Sequence, residues 1–225
     1  QSVMTNYFSP SNVLLRESSF NTDAIQSSKI YTGQVDLNTS LFSGDLKAGI
    51  KYSNIDTNSK LDFFDVENNE TLLNSKLSDD FNYKENIYAQ YVSYQIGSEN
   101  WDLTAGLRGE YTVINATSIC LGELDTQRYF KLFPTANIQY QLNENNGLGL
   151  SYKRAIERPR YQSLNPFKYF ITEYNYNAGN PNLVPSIENK ITLSYDYKGK
   201  LFFDAYYQYF RNSLSILTFQ DNQNN

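Results

Sequence analysis

Residues 101–113 alternate between apolar and polar side chains. Trp101, Leu103, Ala105, Leu107, Tyr111 and Val113 fall on one face of an extended chain, and Asp102, Thr104, Arg108, Glu110 and Thr112 on the other. Successive side chains of a strand point to opposite faces, so a run with one apolar and one charged face is built to meet two different media. A strand crossing a bilayer at a tilt needs about 9 to 11 residues, and this run is that long. The period predicts a transmembrane β-strand with lipid outside and water inside.

The same rule recurs along the chain. Tyr31, Val35, Leu37 and Leu41 oppose Thr32, Gln34, Asp36, Asn38 and Ser40. Leu46, Ala48, Ile50 and Tyr52 oppose Asp45, Lys47, Gly49 and Lys51. Ala136, Ile138, Tyr140 and Leu142 alternate with Thr135, Asn137, Gln139 and Gln141, and Ile191, Leu193, Tyr195 and Tyr197 with Thr192, Ser194, Asp196 and Lys198. Leu201, Phe203, Ala205, Tyr207 and Tyr209 follow at spacing two, although Phe202, Tyr206 and Phe210 blur that strand. The stretch 83–96 is strand-like with two competing faces: Ile87, Ala89 and Tyr91 against Tyr88, Val92 and Tyr94. By parity, Lys47, Lys51, Arg108, Glu110, Gln139 and Asp196 face a watery interior.

Composition excludes several alternatives. No apolar run approaches 18 residues, which rules out a membrane-spanning helix, while a mean hydropathy of -0.57 suits a barrel whose lumen and loops are polar. Aromatics reach 16%, with 20 Tyr, and amphipathic rings settle at membrane interfaces; an aromatic-rich β-sandwich has the same composition. With no histidine and a single cysteine, Cys120, read as a lone loop thiol, neither an imidazole base nor an internal disulfide is available. The net charge of -5 argues against nucleic acid as a partner.

Short connections at 43–44, 98–100, 143–146 and 198–200 carry turn-forming residues, and alternate with long ones at about 65–80, 119–127 and 157–188. One edge of the sheet therefore holds tight turns and the other long loops. The expected architecture is all-β: an antiparallel up-and-down transmembrane barrel segment within a single partial domain, 1–225. Residues 1–29 read as a strand end and loop, 30–217 as a meander of about eight strands that does not close on itself, and 218–225 as the start of a loop. The chain reads as a segment of a longer protein.

The longest loop is the most specific stretch. It contains Arg158, Pro159, Arg160, Tyr161, Leu164, Asn165, Pro166 and Phe167, then Gly179, Asn180, Pro181, Leu183 and Pro185. The prolines fix φ and remove backbone donors, so the loop is kept out of regular strand pairing. Gly179 offers positive φ where the chain reverses. Arg158, Asn165 and Asn180 read as loop-folding residues bonded to backbone, or as contacts to a ligand. Arg160, Tyr161, Tyr169, Tyr174 and Tyr176 are candidate ligand-binding residues; the tyrosines, with Phe170, either stack on a ligand or pack the loop.

The paired stretches R-P-x-Y-x-x-L-N-P-F and G-N-P-x-L-x-P resemble the barrel of TonB-dependent outer-membrane receptors, especially the Bacteroidetes type. The flanking order agrees: 83–89 (YKENIYA), 105–108 (AGLR), 132–134 (LFP) and 150–152 (LSY). The resemblance implies a barrel of about 22 strands in the Gram-negative outer membrane, with long loops extracellular and short turns periplasmic. It implies outer-membrane lipid as surroundings, an N-terminal plug that engages the TonB complex, a surface lipoprotein as a further partner, and import of a siderophore, cobalamin, glycan or peptide. Neither the plug nor C-terminal strands are among these residues, and no cofactor, metal or catalytic group is expected.

Two other readings are open at this stage. A secreted β-sandwich binding module or adhesin predicts strands of about 5 to 6 residues. An outer-membrane enzyme is the other; the lack of histidine argues against a Ser-His hydrolase in this segment, though not elsewhere in the parent. A calcium site at Asp62, Asp65, Glu67, Asn68 and Asn69 lacks the spacing of an EF-hand, and Asp79 and Asp80 sit in an apparently solvated loop where nothing aims them across a cleft.

Overall fold

A computed structural model describes residues 1–67, 70–119, 122–123 and 126–220. In chain order the elements are β1 (Ser2–Phe8), β2 (Leu14–Leu41), β3 (Gly44–Glu67), β4 (Glu70–Leu73), β5 (Asp79–Gly97), β6 (Trp101–Ser118), β7 (Gly122–Glu123), β8 (Gln127–Asn143), β9 (Asn146–Glu157), α1 (Tyr161–Leu164), β10 (Tyr169–Phe170), β11 (Tyr176–Asn177), β12 (Ser186–Tyr197) and β13 (Leu201–Arg211). One antiparallel sheet runs β1-β2-β3-β5-β6-β8-β9-β12-β13, with β4 and β7 as short additions to β3 and β6. Every main strand thus lies beside its neighbour in sequence, the order of a meander. The sheet is open, with β1 and β13 at its edges. A two-sheet sandwich is excluded, because the only other sheet among the described residues is the β10-β11 pair.

Register settles which face each residue takes. Tyr52, Tyr88, Tyr111 and Phe130 are cross-strand partners in one row, and Trp101 faces Tyr140 in another. Between these rows the outward positions of β6 are Leu103, Ala105 and Leu107, with Leu107 44% exposed. Tyr111 lies ten residues beyond Trp101. At about 3.3 Å per residue and a tilt of roughly 40°, that separation is about 25 Å of membrane depth, the height of the apolar band of an outer-membrane barrel. The ambiguity in β5 also resolves: Tyr88, Val92 and Tyr94 share the face of Tyr111, Leu107 and Ala105, while Ile87, Ala89 and Tyr91 share that of Thr112, Glu110 and Arg108.

Beyond the upper aromatic row the strands continue, and the chemistry of the two faces reverses while parity is kept. The inner positions become Leu61, Phe81, Tyr83, Ile114 and Ala116, all buried in one cluster, and the outer ones Asn58, Asn82 and Asn115. This is the core of the molecule, and something must cover it on the inner side.

Several boundaries differ from the sequence reading. Residues 14–29 are not loop but the first half of β2, a 28-residue strand. The stretch carries polar residues on both faces, so it has no apolar period to read; hydrogen bonding to β1 and β3 holds it extended. The meander ends at Arg211 rather than 217. The 65–80 connection contains β4, which pairs back onto β3, and Asp79 and Asp80 open β5. As neighbours in a strand those two carboxylates point to opposite faces, Asp79 accepting from the Ser118 hydroxyl at 2.6 Å and Asp80 from the Asn58 amide at 3.1 Å. The first tight turn is Phe42-Ser43, both at positive φ, closed by the Leu41–Gly44 pair. Gly44 instead serves in the strand, where a Cβ would lie 2.5 Å from the Gln95 carbonyl oxygen and the Tyr94 ring. Cys120, Asn68, Asn69 and the run 221–225 lie outside the described residues.

Candidate functional site

The loop at 158–185 covers the inner core. It leaves β9, crosses the inner face over β8, β6, β5, β3 and β2 to reach the β1-β2 hairpin, and returns to β12. It acts as a strap, and each anchor is a residue type suited to its depth.

The first anchor is ionic. The Arg158 guanidinium donates from Nε to Glu85 at 3.0 Å, and from Nη2 to Glu110 at 2.7 Å and to the Thr112 hydroxyl at 3.2 Å. Arg108 donates to the other Glu110 oxygen at 2.6 Å, and Tyr83 to Glu85 at 3.3 Å. Both carboxylates are more than nine-tenths buried. A buried carboxylate is tolerated only when paired and hydrogen-bonded, and a guanidinium fork can serve two acceptors at once. The expectation that Arg158 bonds to backbone is therefore corrected: it joins the strap to Glu110, which alternation marked only as inward-facing, and to Glu85, which it did not mark.

The second anchor is apolar. Tyr161 packs at ring-centroid distances of 5.7 Å from Phe81 and 6.2 Å from Tyr83, and Phe167 lies 6.5 Å from Phe81 and 6.1 Å from Tyr169. Leu164 joins the cluster at 4% exposure, with Leu183 of the returning limb against it. Burial pushes the Tyr161 phenol up to about 12, so it stays neutral. Asn165 is almost completely buried; its Oδ1 accepts from the Phe167 backbone N–H at 3.0 Å while its Nδ2 donates to the Tyr169 hydroxyl at 3.1 Å. Asn180 Oδ1 accepts from the Asn182 backbone at 2.9 Å. Both asparagines accept from the loop's own backbone, and Asn165 Nδ2 also donates to the Ser59 hydroxyl of β3 at 3.4 Å. Gly179 folds the loop onto itself for another reason than positive φ: its backbone runs against Ser163 and Asn165, whose carbonyl oxygens would stand 2.6 and 2.5 Å from a Cβ.

The third anchor is at the far edge. Phe170 meets Phe20 at 6.0 Å and Phe63 at 5.4 Å. Glu173 pairs with Arg16 and accepts from the Tyr7 hydroxyl at 2.7 Å, and Tyr174 lies edge-on to Tyr7. Partial burial pushes the Glu173 carboxyl up, but the bonds from Tyr7 and Arg16 outweigh it and hold it below the ordinary glutamate range. This latch therefore stabilises the tip above the unfolded value of about 4.3 and is lost as pH falls through the lower folded value. Hydrogen exchange of 171–175, corrected for its intrinsic pH dependence, is expected to rise as pH falls below the unfolded value of about 4.3 and the carboxyl is protonated; protection unchanged in Glu173→Ala would mean that ring packing alone holds the tip.

The five candidate ligand residues separate into two groups. Tyr161 and Tyr169 take part in the packing just described. Arg160 is exposed before α1, Tyr174 is 66% exposed, and Tyr176 is 47% exposed between the Phe170 ring at 5.4 Å and the Lys168 ammonium at 4.8 Å. Beneath the ionic anchor the inner wall holds a cavity of about 620 Å³ lined by Asp36, Lys51, Tyr91, Arg108, Thr135 and Lys153. Tyr91 donates to Asp36, and Arg108 stacks over the Tyr91 ring at 5.5 Å. Of the six inward residues read by parity, Lys51, Arg108 and Glu110 line this cavity, whereas Gln139 bonds to Asn137 lower on the wall and Asp196 accepts from Gly199 at a turn. Of the calcium candidates, Asp62 pairs with Lys60 and Asp65 accepts from Asn74, and no cluster of three metal-ligating side chains occurs among the described residues.

Alternation placed Arg108, Glu110 and Thr112 on one face, but did not point to Glu85 and Tyr83, nor to Arg16, Tyr7 and Glu173. One signal was present: the inner parity of β5 and β6 turns apolar at Phe81, Tyr83, Ile114 and Ala116, which marks a wall that needs a cover.

The fold matches solved structures of two transporters and an uptake receptor. The ferric citrate transporter FecA in its unliganded form superposes with a TM-score of 0.56 at 15% identity over 93% of this chain and 32% of that one. The copper transporter OprC gives 0.60 at 11% over 92% and 34%, and the ferric yersiniabactin uptake receptor FyuA from Yersinia pestis gives 0.51 at 11% over 86% and 29%. The chain thus spans about a third of the length of these structures. No curated protein matches the sequence. The profile of the outer membrane protein beta-barrel family matches residues 1–225. With a tilted apolar band about 25 Å high, a polar inner wall and the profile match over its whole length, this chain belongs to the outer membrane protein beta-barrel family.

Proposed function

We propose that the chain forms part of the wall and one inward-folded loop of a TonB-dependent receptor, not an enzyme, that binds a nutrient and imports it across the outer membrane. The observation that carries this reading is the strap. A loop fixed at both ends to the inner wall narrows the mouth of the barrel and presents Arg160, Tyr174 and Tyr176 towards solvent while closing the wall beneath them. Rings with polar edges suit a siderophore, a cobalamin, a glycan or a peptide, and energy would come from the inner membrane through a plug and the TonB complex. A surface lipoprotein would add to capture. The likeness to FecA, OprC and FyuA supports the scaffold of this reading.

In the whole receptor, replacing Tyr174 and Tyr176 together by Ala is expected to weaken nutrient capture about tenfold or more while surface display stays near normal, because both rings are largely exposed and each stacking contact contributes about 1 kcal/mol. Normal capture with lost display would make the strap purely structural. Sidedness is tested separately. With Cys120 replaced, a cysteine at Asn145, in the tight turn between β8 and β9, is expected to resist an impermeant thiol reagent on intact cells and to react after the outer membrane is permeabilised. Labelling on intact cells would invert the orientation.

A further inference from the structure

We infer that the recess beneath the ionic anchor is a second ligand site on the import path, one that takes a small polyanion: a nutrient carrying two or more carboxylate or phosphate groups. The inference rests on the reading of the lumen as that path.

The recess has a volume of about 620 Å³, within the roughly 300 to 1,000 Å³ typical of small-molecule sites. Its three cations, Lys51, Arg108 and Lys153, stand on β3, β6 and β9, each paired with a strand on both sides. The cationic wall therefore does not depend on an open edge of the sheet. Register sets Lys51 level with Glu110, Arg108 one inner row below, and Lys153 one further row below, beside Thr135. Neighbouring strands lie about 4.8 Å apart, so successive cations are two strands, or about 10 Å, apart across the wall.

The carboxylates of the recess are already engaged, and the cations are not. Glu110 is filled by Arg108 and Arg158, and Asp36 by the Tyr91 hydroxyl and by the Gln34 amide at 2.8 Å. Lys51 and Lys153 form no ion pair among the described residues. Arg108 donates only its Nε, to Glu110, which leaves both terminal amino groups without a partner among the described residues. In a chain of net charge -5 this is a local reversal of sign, and a cleft lined by one sign of charge concentrates ligands of the other.

Small residues hold the arrangement in place. Gly49 lets Tyr91 lie across β3 to Asp36: a Cβ there would stand 2.5 Å from the end of the Tyr91 ring and 2.7 Å from Asp36 Oδ1. Gly106 makes the same room for Thr135, whose Oγ1 would be 2.8 Å from a Cβ. The Tyr91 ring carries the Arg108 guanidinium at 5.5 Å, so this cation is fixed by a ring on one side and by Glu110 at one end. The Thr135 hydroxyl adds a further donor to the lining. Cations two strands apart do not close on a single ion; they suit a molecule whose acid groups are several ångströms apart. An acidic side chain of a plug would meet one of them and leave the others unpaired.

The test is equilibrium dialysis of the whole receptor in mild detergent against tripolyphosphate, tricarballylate and the uncharged triamide of tricarballylate. Either anion is expected to bind and the triamide is not, the tighter anion naming the acid group. Lys51→Gln and Lys153→Gln are each expected to lower affinity about tenfold, the loss of one charge-assisted bond, and together about a hundredfold, since they stand four strands apart. Tyr91→Phe removes no charge, yet it is expected to lower affinity about fivefold, because the released Asp36 carboxylate competes for the cations. Lys47→Gln, on the same inner face but outside the recess, is expected to leave affinity unchanged. A loss there equal to that of Lys51→Gln would reveal a general attraction of the lumen for anions and overturn the site, as would equal binding of the triamide. Anion binding without any energy-dependent uptake would overturn the import reading and with it the place of this site on a path. Uptake of the nutrient by a receptor that binds neither anion would overturn the site alone.

Discussion

Replacing Arg158 by Met in the whole barrel is expected to destabilise it by about 3 to 5 kcal/mol. The substitution keeps most of the aliphatic volume and removes the fork that serves Glu85, Glu110 and Thr112. Glu110 keeps Arg108, but Glu85 is left with only the Tyr83 hydroxyl in a site where it is more than nine-tenths buried. An orphaned buried charge costs more than the pair contributed, so the penalty is large although the intact pair adds little net stability. Two further variants separate charge from packing. Glu85→Gln in the Arg158→Met background is expected to recover part of the loss by removing the stranded charge, and Arg158→Lys to fall between wild type and Met, since an ammonium keeps the charge but not the planar fork. The measurement is reversible urea unfolding of the folded barrel in lipid vesicles. A loss below about 1 kcal/mol for Arg158→Met would show that the strap is held by its rings and that the ionic anchor is incidental.

The second large effect lies in the wall. Leu107 sits near the middle of the span between Trp101 and Tyr111 and faces lipid beside Val92 and Pro134. Leu107→Arg is expected to cost about 2 to 4 kcal/mol, because a guanidinium near the midplane must be desolvated or must draw water and head groups into the bilayer. Thr104→Arg, three residues away, enters the polar inner row with Gln95 and Asn137 and is expected to cost much less. The same unfolding experiment reads both. Equal penalties would overturn the facing of β6 and, through the shared register, of the strands paired with it. The inner variant has a second readout, as a cation added to the lumen is expected to alter transport while assembly stays intact.

The sequence by itself determined the wall. Period two over at least ten residues, repeated with short turns between, admits few structures: an antiparallel meander whose faces meet lipid and water. The facing of Trp101, Leu103 and Leu107 and the inward placement of Arg108 and Glu110 follow from parity, because the pleat ties side-chain direction to residue number, and the alternation of tight turns with long loops follows from where the turn-forming residues fall. The motif loop was likewise visible as a unit, since its prolines and Gly179 are incompatible with a regular strand. Where no apolar period exists, parity is silent. Residues 14–29 are strand only because β1 pairs with them up to Asn21 and β3 from Ser19 onward. In β5, Ile87 and Tyr88 compete on hydrophobicity, and the contest is decided by the partners Thr112 and Tyr111 that the register brings opposite.

Only the tertiary structure decided what the loop does. Arg158 lies 73 residues from Glu85, and Tyr7 lies 166 from Glu173, separations at which no local pattern links a guanidinium or a phenol to its carboxylate. The burial of Tyr161 and Phe167, against the exposure of Tyr174 and Tyr176, likewise depends on which rings the strap meets as it crosses the wall. Strand periodicity is a property of neighbouring residues and can be read along the chain. The path of a proline-rich loop is set by the distant surface it covers, here the apolar patch of Leu61, Phe81, Ile114 and Ala116, which exists only once three strands, β3, β5 and β6, have been brought side by side.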